Sequence, residues 1–216
     1  MKLESVGILI SMRPLNERDM IANVFTRDYG MMVGVLRGAV VAKKNKPLVG
    51  QVGNVSWNAR LDSQLGTFHW ESEKNLSATL IMNSKSLLYM NAAFELLGTL
   101  LPERESYEQL YQETLDMLGG LASGGVDMYL KWEVCLLREL GYALDLSRCS
   151  GCGKMNNLNF LSPRTGRAVC DVCAVPYINK LYKLPLGLNV TFRFLEHVCL
   201  QQGVQIPHMR QMLNFM

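Results

Sequence analysis

The spacing of apolar and polar positions changes character near residue 75. Before it, short runs alternate with a period of two. In the first, Val6, Ile8, Ile10 and Met12 alternate with Ser5, Gly7 and Ser11, although Leu9 breaks the pattern. "MIANVFTRDYG" and "MMVGVLRGAV" follow, rich in β-branched and aromatic residues, with Asp28-Tyr29-Gly30 as a tight turn between them. The fourth run is the clearest. Val55, Trp57, Ala59 and Leu61 share one face, and Asn54, Ser56, Asn58 and Arg60 the other. "GTFHWES" is a fifth run. Five short strands joined by turns predict a small barrel, and the OB-fold is the five-stranded barrel that commonly binds oligonucleotides.

Beyond residue 75 the period becomes helical. "SKSLLYMNAAFELLGTLL" places Leu87, Met90, Phe94, Leu97 and Leu101 at spacings of three and four, and Pro102 ends it. "SYEQLYQETLDMLGGL" repeats the pattern with Leu110, Leu115 and Leu118. Gly119, Gly120, Gly124 and Gly125 punctuate the link to a helix over "MYLKWEVCLLREL", which Asp127 is expected to cap and Gly141 to end. A final helix covers "LNVTFRFLEHVCLQQ", with a short turn expected after Pro207. The expected fold class is α+β. A five-stranded OB-fold barrel over residues 1–74 precedes an all-α domain over 75–216, and a four-cysteine zinc finger is inserted at 149–173.

Composition narrows the class. With 49% hydrophobic and 19% charged residues in 216, the chain describes a globular protein, not a disordered one. The longest apolar stretch is interrupted by Asn83, Ser84, Lys85, Asn91 and Glu95, which excludes a membrane span. Val6 to Ile10 is too short for the core of an export signal, so the cytoplasm is expected, where thiols stay reduced. The net charge of +3 hides an asymmetry: residues 1–60 carry nine Lys or Arg against four acids, whereas residues 75–216 carry twelve of each. A basic half fits either a polyanion partner or a solvated surface with a mild excess.

The chemistry-bearing motif is "CSGCGKMNNLNFLSPRTGRAVCDVC". Cys149 and Cys152 form one Cys-x-x-Cys pair and Cys170 and Cys173 the other, with a hairpin expected between them around Ser162–Gly166. This is the four-cysteine zinc pattern. Disulfides or free thiols are the alternatives, with iron as a minor substitute for zinc. Four thiolates close the metal's shell and leave no position for water, so the zinc is expected to be structural and the chain no enzyme. His69-Trp70-Glu71 spells the H-x-E of zinc deaminases, but Val169 stands where that signature needs proline, and Cys149 and Cys152 would be left unexplained. Cys135 and Cys199 sit among apolar residues as core thiols, and His197, beside apolar residues on the last helix, as a core histidine. No phosphate loop is present. The candidate DNA contacts are Arg13, Arg18, Arg37, Lys43, Lys44, Lys46 and Arg60, with Tyr29, Phe68 and Trp70 as candidates for base stacking.

The stretches "RPLNERDMIANVFTRDYG", "VLRGA" with its lysine-rich loop, "LLPERESYEQLY", "LLRELGYALDLSRCSGCG" and "FLSPRTGRAVC" resemble the bacterial RecO family of recombination mediators, from about residue 3 to about 186. The resemblance implies an OB-fold, a helical domain and an inserted zinc finger. It further implies binding of single- and double-stranded DNA, annealing of complementary strands, partnership with RecR, help in loading RecA, contact with single-strand-binding protein, and association with the nucleoid. "HMRQMLNFM" replaces the Lys-Ser or Arg-Ser pair common near the family's end. Two rival readings remain: an interaction adaptor whose barrel does not touch nucleic acid, and a zinc enzyme.

Overall fold

The computed structural model describes residues 1–42, 46–61, 65–142 and 144–215. Five strands, β1 (Lys2–Pro14), β2 (Met20–Thr26), β3 (Gly30–Leu36), β4 (Gln51–Asn58) and β5 (Gly66–Asn75), close into a barrel in the order β1-β2-β3-β5-β4. β4 returns to β1, and only the β3–β5 pair is parallel. This is the expected five-stranded OB barrel. Closure pairs every strand on both sides and leaves no open edge.

Leu9 broke the alternation because β1 is buried on both faces. Leu9 points into the barrel with Val24, Met32, Val55, Trp57 and Phe68. Ile8 and Ile10 point outward into a second core shared with the helices. The β1–β2 register shifts between Leu9 and Ser11. A strand covered on both sides shows a continuous apolar run. Inside the barrel, two glycines make room for aromatic rings. A Cβ on Gly66 would lie 2.1 Å from the Trp57 ring, and one on Gly34 would lie 2.9 Å from Phe68.

The helical part begins with α1 (Ser84–Leu100), capped by the Asn83 side chain, which accepts from the amides of Lys85 and Ser86. α2 (Glu108–Glu139) folds back on itself at Gly125, whose φ of 51° and ψ of −127° lie outside the helical region. The two arms run side by side. Trp132 donates to Thr114 Oγ1 at 2.9 Å and Lys131 pairs with Glu113 at 2.9 Å. Met128 lies over Gly120 and Gly124, where a Cβ would sit 2.6 and 2.4 Å from it. The glycines therefore build the hairpin itself. Among the described residues Asp127 accepts no hydrogen bond from a backbone amide, so the expected cap is not seen; the second arm begins after the non-helical Gly125. Gly141 ends it in the left-handed region (φ 89°), with the Tyr142 amide reaching back to Leu137 O.

The linker between α1 and α2 seals the barrel to the helices. Arg104 N–H donates to Met31 O at 2.9 Å, and the Arg104 guanidinium lies 4.6 Å from the centroid of Trp57. Gly30 (φ +62°) underlies the same linker, and a Cβ there would be 1.7 Å from Glu105 O.

The cysteine segment adds β6 (Phe160–Leu161), β7 (Ala168–Val169), a helical turn α3 (Asp171–Ala174) and β8 (Tyr182–Lys183), paired in the order β7-β6-β8. The hairpin was expected; the third strand was not. α4 (Leu188–Gln202) and α5 (His208–Met212) complete the chain's elements. The turn after Pro207 carries Arg210, which is fully buried against an equally buried Glu133 on α2. Its Nε and Nη2 meet the two carboxylate oxygens at 2.5 and 3.1 Å. Leu188 O, Thr191 Oγ1 and Asn214 Oδ1 accept its remaining protons, and Tyr129 donates to Glu133 at 2.8 Å. Removing one partner of such a pair leaves an uncompensated buried charge and costs about 3–5 kcal/mol. Among the described residues, no helix is long and apolar enough to cross a membrane.

Candidate metal centre and nucleic-acid interface

The two Cys-x-x-Cys knuckles converge. The sulfurs of Cys149, Cys152, Cys170 and Cys173 all lie within 4.8 Å of one another. No disulfide forms among them, and Cys152 Sγ and Cys170 Sγ stand 3.7 Å apart. A tetrahedral site with metal–sulfur bonds of about 2.3 Å has sulfur–sulfur edges of ~3.8 Å. The donor set therefore fits a metal ion with a closed shell.

The local backbone is built for this. Gly151 and Cys170 donate their amides to Cys149 Sγ at 3.4 and 3.3 Å. Gly153 sits at φ +75°, and its amide closes the knuckle onto Cys149 O at 2.9 Å. Gly151 matters as much, since a Cβ there would lie 3.0 Å from Cys173 Sγ. Burial alone would raise the Cys149 thiol, but the amides of Cys170, Gly151 and Cys152 outweigh it and bring it down to about 6. Hydrogen bonding with Cys152, Cys170 and Cys149 pushes Cys173 up to about 12. Four thiolates this close need a cation between them. His69 takes no part: it lies on the outside of the barrel beside Glu71.

The candidate basic residues divide. Arg13 at the end of β1, Arg18 in the β1–β2 turn, Arg37 at the exit of β3 and Lys46 ahead of β4 are all exposed and belong to one end of the barrel. Arg60 follows β4, whose last residue, Asn58, lines the same cleft as Arg37. Lys43 and Lys44 lie outside the described residues. Asp19 ties the β1–β2 turn to the exit of β3. It accepts the Gly38 amide at 2.8 Å and the Asn16 side chain at 3.1 Å, while Val40 N–H donates to Arg18 O. The Gly38 amide first, then Asn16 and the charges of Arg37 and Arg18, hold its carboxyl below the usual carboxylate range against a small opposing effect of desolvation.

The stacking candidates do not converge. Phe68 is 4% exposed inside the barrel. Tyr29 is half-buried in the β2–β3 turn, at the end opposite Arg37. Trp70 is half-buried and lines a cleft of about 410 Å³ with Arg37, Thr67 and Pro47. His197 corrects its expectation. It is exposed, on the outer stripe of α4 with Arg193, Glu196 and Leu200, because the helix buries Phe194, Leu195, Val198 and Cys199 instead.

One functional feature escaped the sequence reading. The balanced charge of residues 75–216 is an average of two opposed parts. Residues 147–183 carry six cations (Arg148, Lys154, Arg164, Arg167, Lys180 and Lys183) against Asp171 alone, so the remainder holds six cations against eleven acids. Counting charge over the cysteine segment by itself would have found it.

The Recombination protein O N-terminal family matches residues 1–73 and the Recombination protein O C-terminal family residues 83–206. A protein of Dinoroseobacter shibae named DNA repair protein RecO is 36% identical over 209 residues, covering 88% of this chain and 86% of that protein. A protein of the same name from Jannaschia sp. is 39% identical over 196 residues, covering 89% and 80%. One from Cereibacter sphaeroides is 38% identical over 226 residues, covering 96% and 94%. With nearly all of its barrel, its helices α1 to α4 and its four-cysteine knot inside those matches, the chain belongs to the recombination protein O family, and its role lies in DNA repair and recombination.

Proposed function

We propose that this chain is a non-enzymatic mediator that binds single- and double-stranded DNA through the basic end of its barrel. It anneals complementary strands and acts with RecR to load RecA onto DNA covered by single-strand-binding protein, working at the nucleoid in the cytoplasm. The ion in the four-cysteine site is zinc, and it holds the chain without taking part in chemistry. The observation that carries the reading is the grouping of exposed Arg13, Arg18, Arg37 and Lys46 around the end of β1, the β1–β2 turn, the exit of β3 and the approach to β4, with Asp19 tying the β1–β2 turn to the β3 exit. Flexible cations held on a fixed frame meet phosphates without reading sequence.

The test is binding of a short single strand across a salt series, with strand annealing measured with and without RecR. Each phosphate contact adds about 0.7 to the steepness of log affinity against log salt on single strands. Replacing Arg13, Arg18 and Arg37 with Ala is expected to flatten that slope by roughly 2. An affinity indifferent to salt and to these three substitutions would instead favour an adaptor that touches only protein.

A further inference from the structure

We propose that the zinc module carries a second single-strand site, in which a nucleobase stacks on Tyr177 and the flanking phosphates meet Arg164 and Lys180. This rests on the DNA-binding reading above and extends it to a face remote in sequence from the barrel.

Three observations carry it. The first is charge. The module's six cations face one acid, a formal +5, and four thiolates around a divalent ion would take back only two. Among the described residues, none of the six is in a salt bridge. The helical remainder carries the opposite sign, so a polyanion is drawn to the module and repelled from its surroundings.

The second is an aromatic ring in the open. Tyr177 is 61% exposed, on the turn that follows the last metal ligand. An exposed aromatic ring beside cations offers a surface on which a base can stack.

The third is shape. Tyr177 walls a cleft of about 490 Å³ with Val169 and Leu181 as its apolar lining and Arg164 and Lys180 among its lining residues. Arg164 sits at the tip of the β6–β7 hairpin and also lines the neighbouring cleft beside Arg167 and His197. A strand leaving Tyr177 can therefore continue around that tip past Arg164 and Arg167 into the neighbouring cleft, where Asp145 is the single acid. An apolar slot with cations beside it and no acid in its lining fits a base and its phosphates. Two strand sites on one chain also give annealing a physical basis, since each complementary strand can be held while the other is brought to it.

The experiment uses the full-length, metal-loaded chain and a short oligothymidylate carrying 5-iodouracil. Irradiation is expected to join the base to the peptide holding Tyr177, in addition to peptides of the barrel. A chain with Tyr177→Ala, Arg164→Ala and Lys180→Ala, checked for full metal content, is expected to bind a first strand within about twofold of the parent yet anneal complementary strands roughly tenfold more slowly. Cross-links confined to the barrel, with unchanged annealing by the triple variant, would overturn the second site and leave the barrel reading intact. Absence of any DNA binding by the parent chain would end both. If hexaglutamate binds the cleft while the oligonucleotide never cross-links there, the surface is a peptide site and the proposal is overturned.

Discussion

The barrel and the cysteine module are both small, both basic and both built around hairpins, yet they stand by different means. The barrel closes its backbone on itself and fills its middle with Leu9, Val24, Met32, Trp57 and Phe68. The module has three strands of two residues each, and Phe160 and Val169 are the only large apolar side chains buried in its own cluster. The sulfurs occupy the place where a core would be. A cationic surface needs a frame that resists its own repulsion: the barrel supplies it by hydrogen-bonded closure, and the cysteine module places four sulfurs where a metal ion would supply it.

Removing the metal breaks the comparison most sharply. Four-thiolate binding contributes on the order of 10 kcal/mol to folding a small module. Chelation, or Cys149→Ser, is expected to abolish protection of amides in residues 149–183 from hydrogen exchange while those of β1 to β5 stay protected. Equal protection in metal-free protein would show that the module stands without its ion. The next effect falls on the barrel. Gly30→Ala places a methyl group 1.7 Å from Glu105 O at a positive φ. It should cost about 3 kcal/mol or more, read as a lower denaturation midpoint with the metal still bound. The smallest effect concerns the strap at Asp19. Its carboxyl is held below its usual value of 3.8. The strap's contribution is therefore complete above that value and disappears as pH falls through the lowered one. Amide shifts of Gly38 followed between pH 5 and about 2 should report a single step, absent in Asp19→Asn.

The elements were legible where one principle governed them. Alternation at Val55 and Trp57 gave β4, and i, i+3, i+4 spacing from Leu87 gave α1. The knuckles were legible because two Cys-x-x-Cys pairs at this spacing match the four-cysteine zinc pattern. What stayed hidden depended on partners far along the chain. Leu9 looked like an error of pattern until the second core beneath β1 explained it. Arg210, in the tail "HMRQMLNFM", carries no local signal of burial, and its carboxylate partner lies 77 residues earlier. His197 was misplaced because its sequence neighbours are apolar while its helical neighbours Arg193, Glu196 and Leu200 are exposed. The charge of the zinc module was concealed by averaging over a window larger than the unit that carries it.

The buried Arg210 has a bearing on how the protein is made. As the polypeptide emerges from the ribosome, β1 to β5 can complete their ladder once residue 75 is free, whereas Glu133 must wait for Arg210 to leave the exit tunnel before its charge is answered. At elongation rates of about 5–20 residues per second, that interval lasts roughly 4–15 seconds. Throughout it the nascent chain presents a finished barrel attached to helices that cannot yet lock.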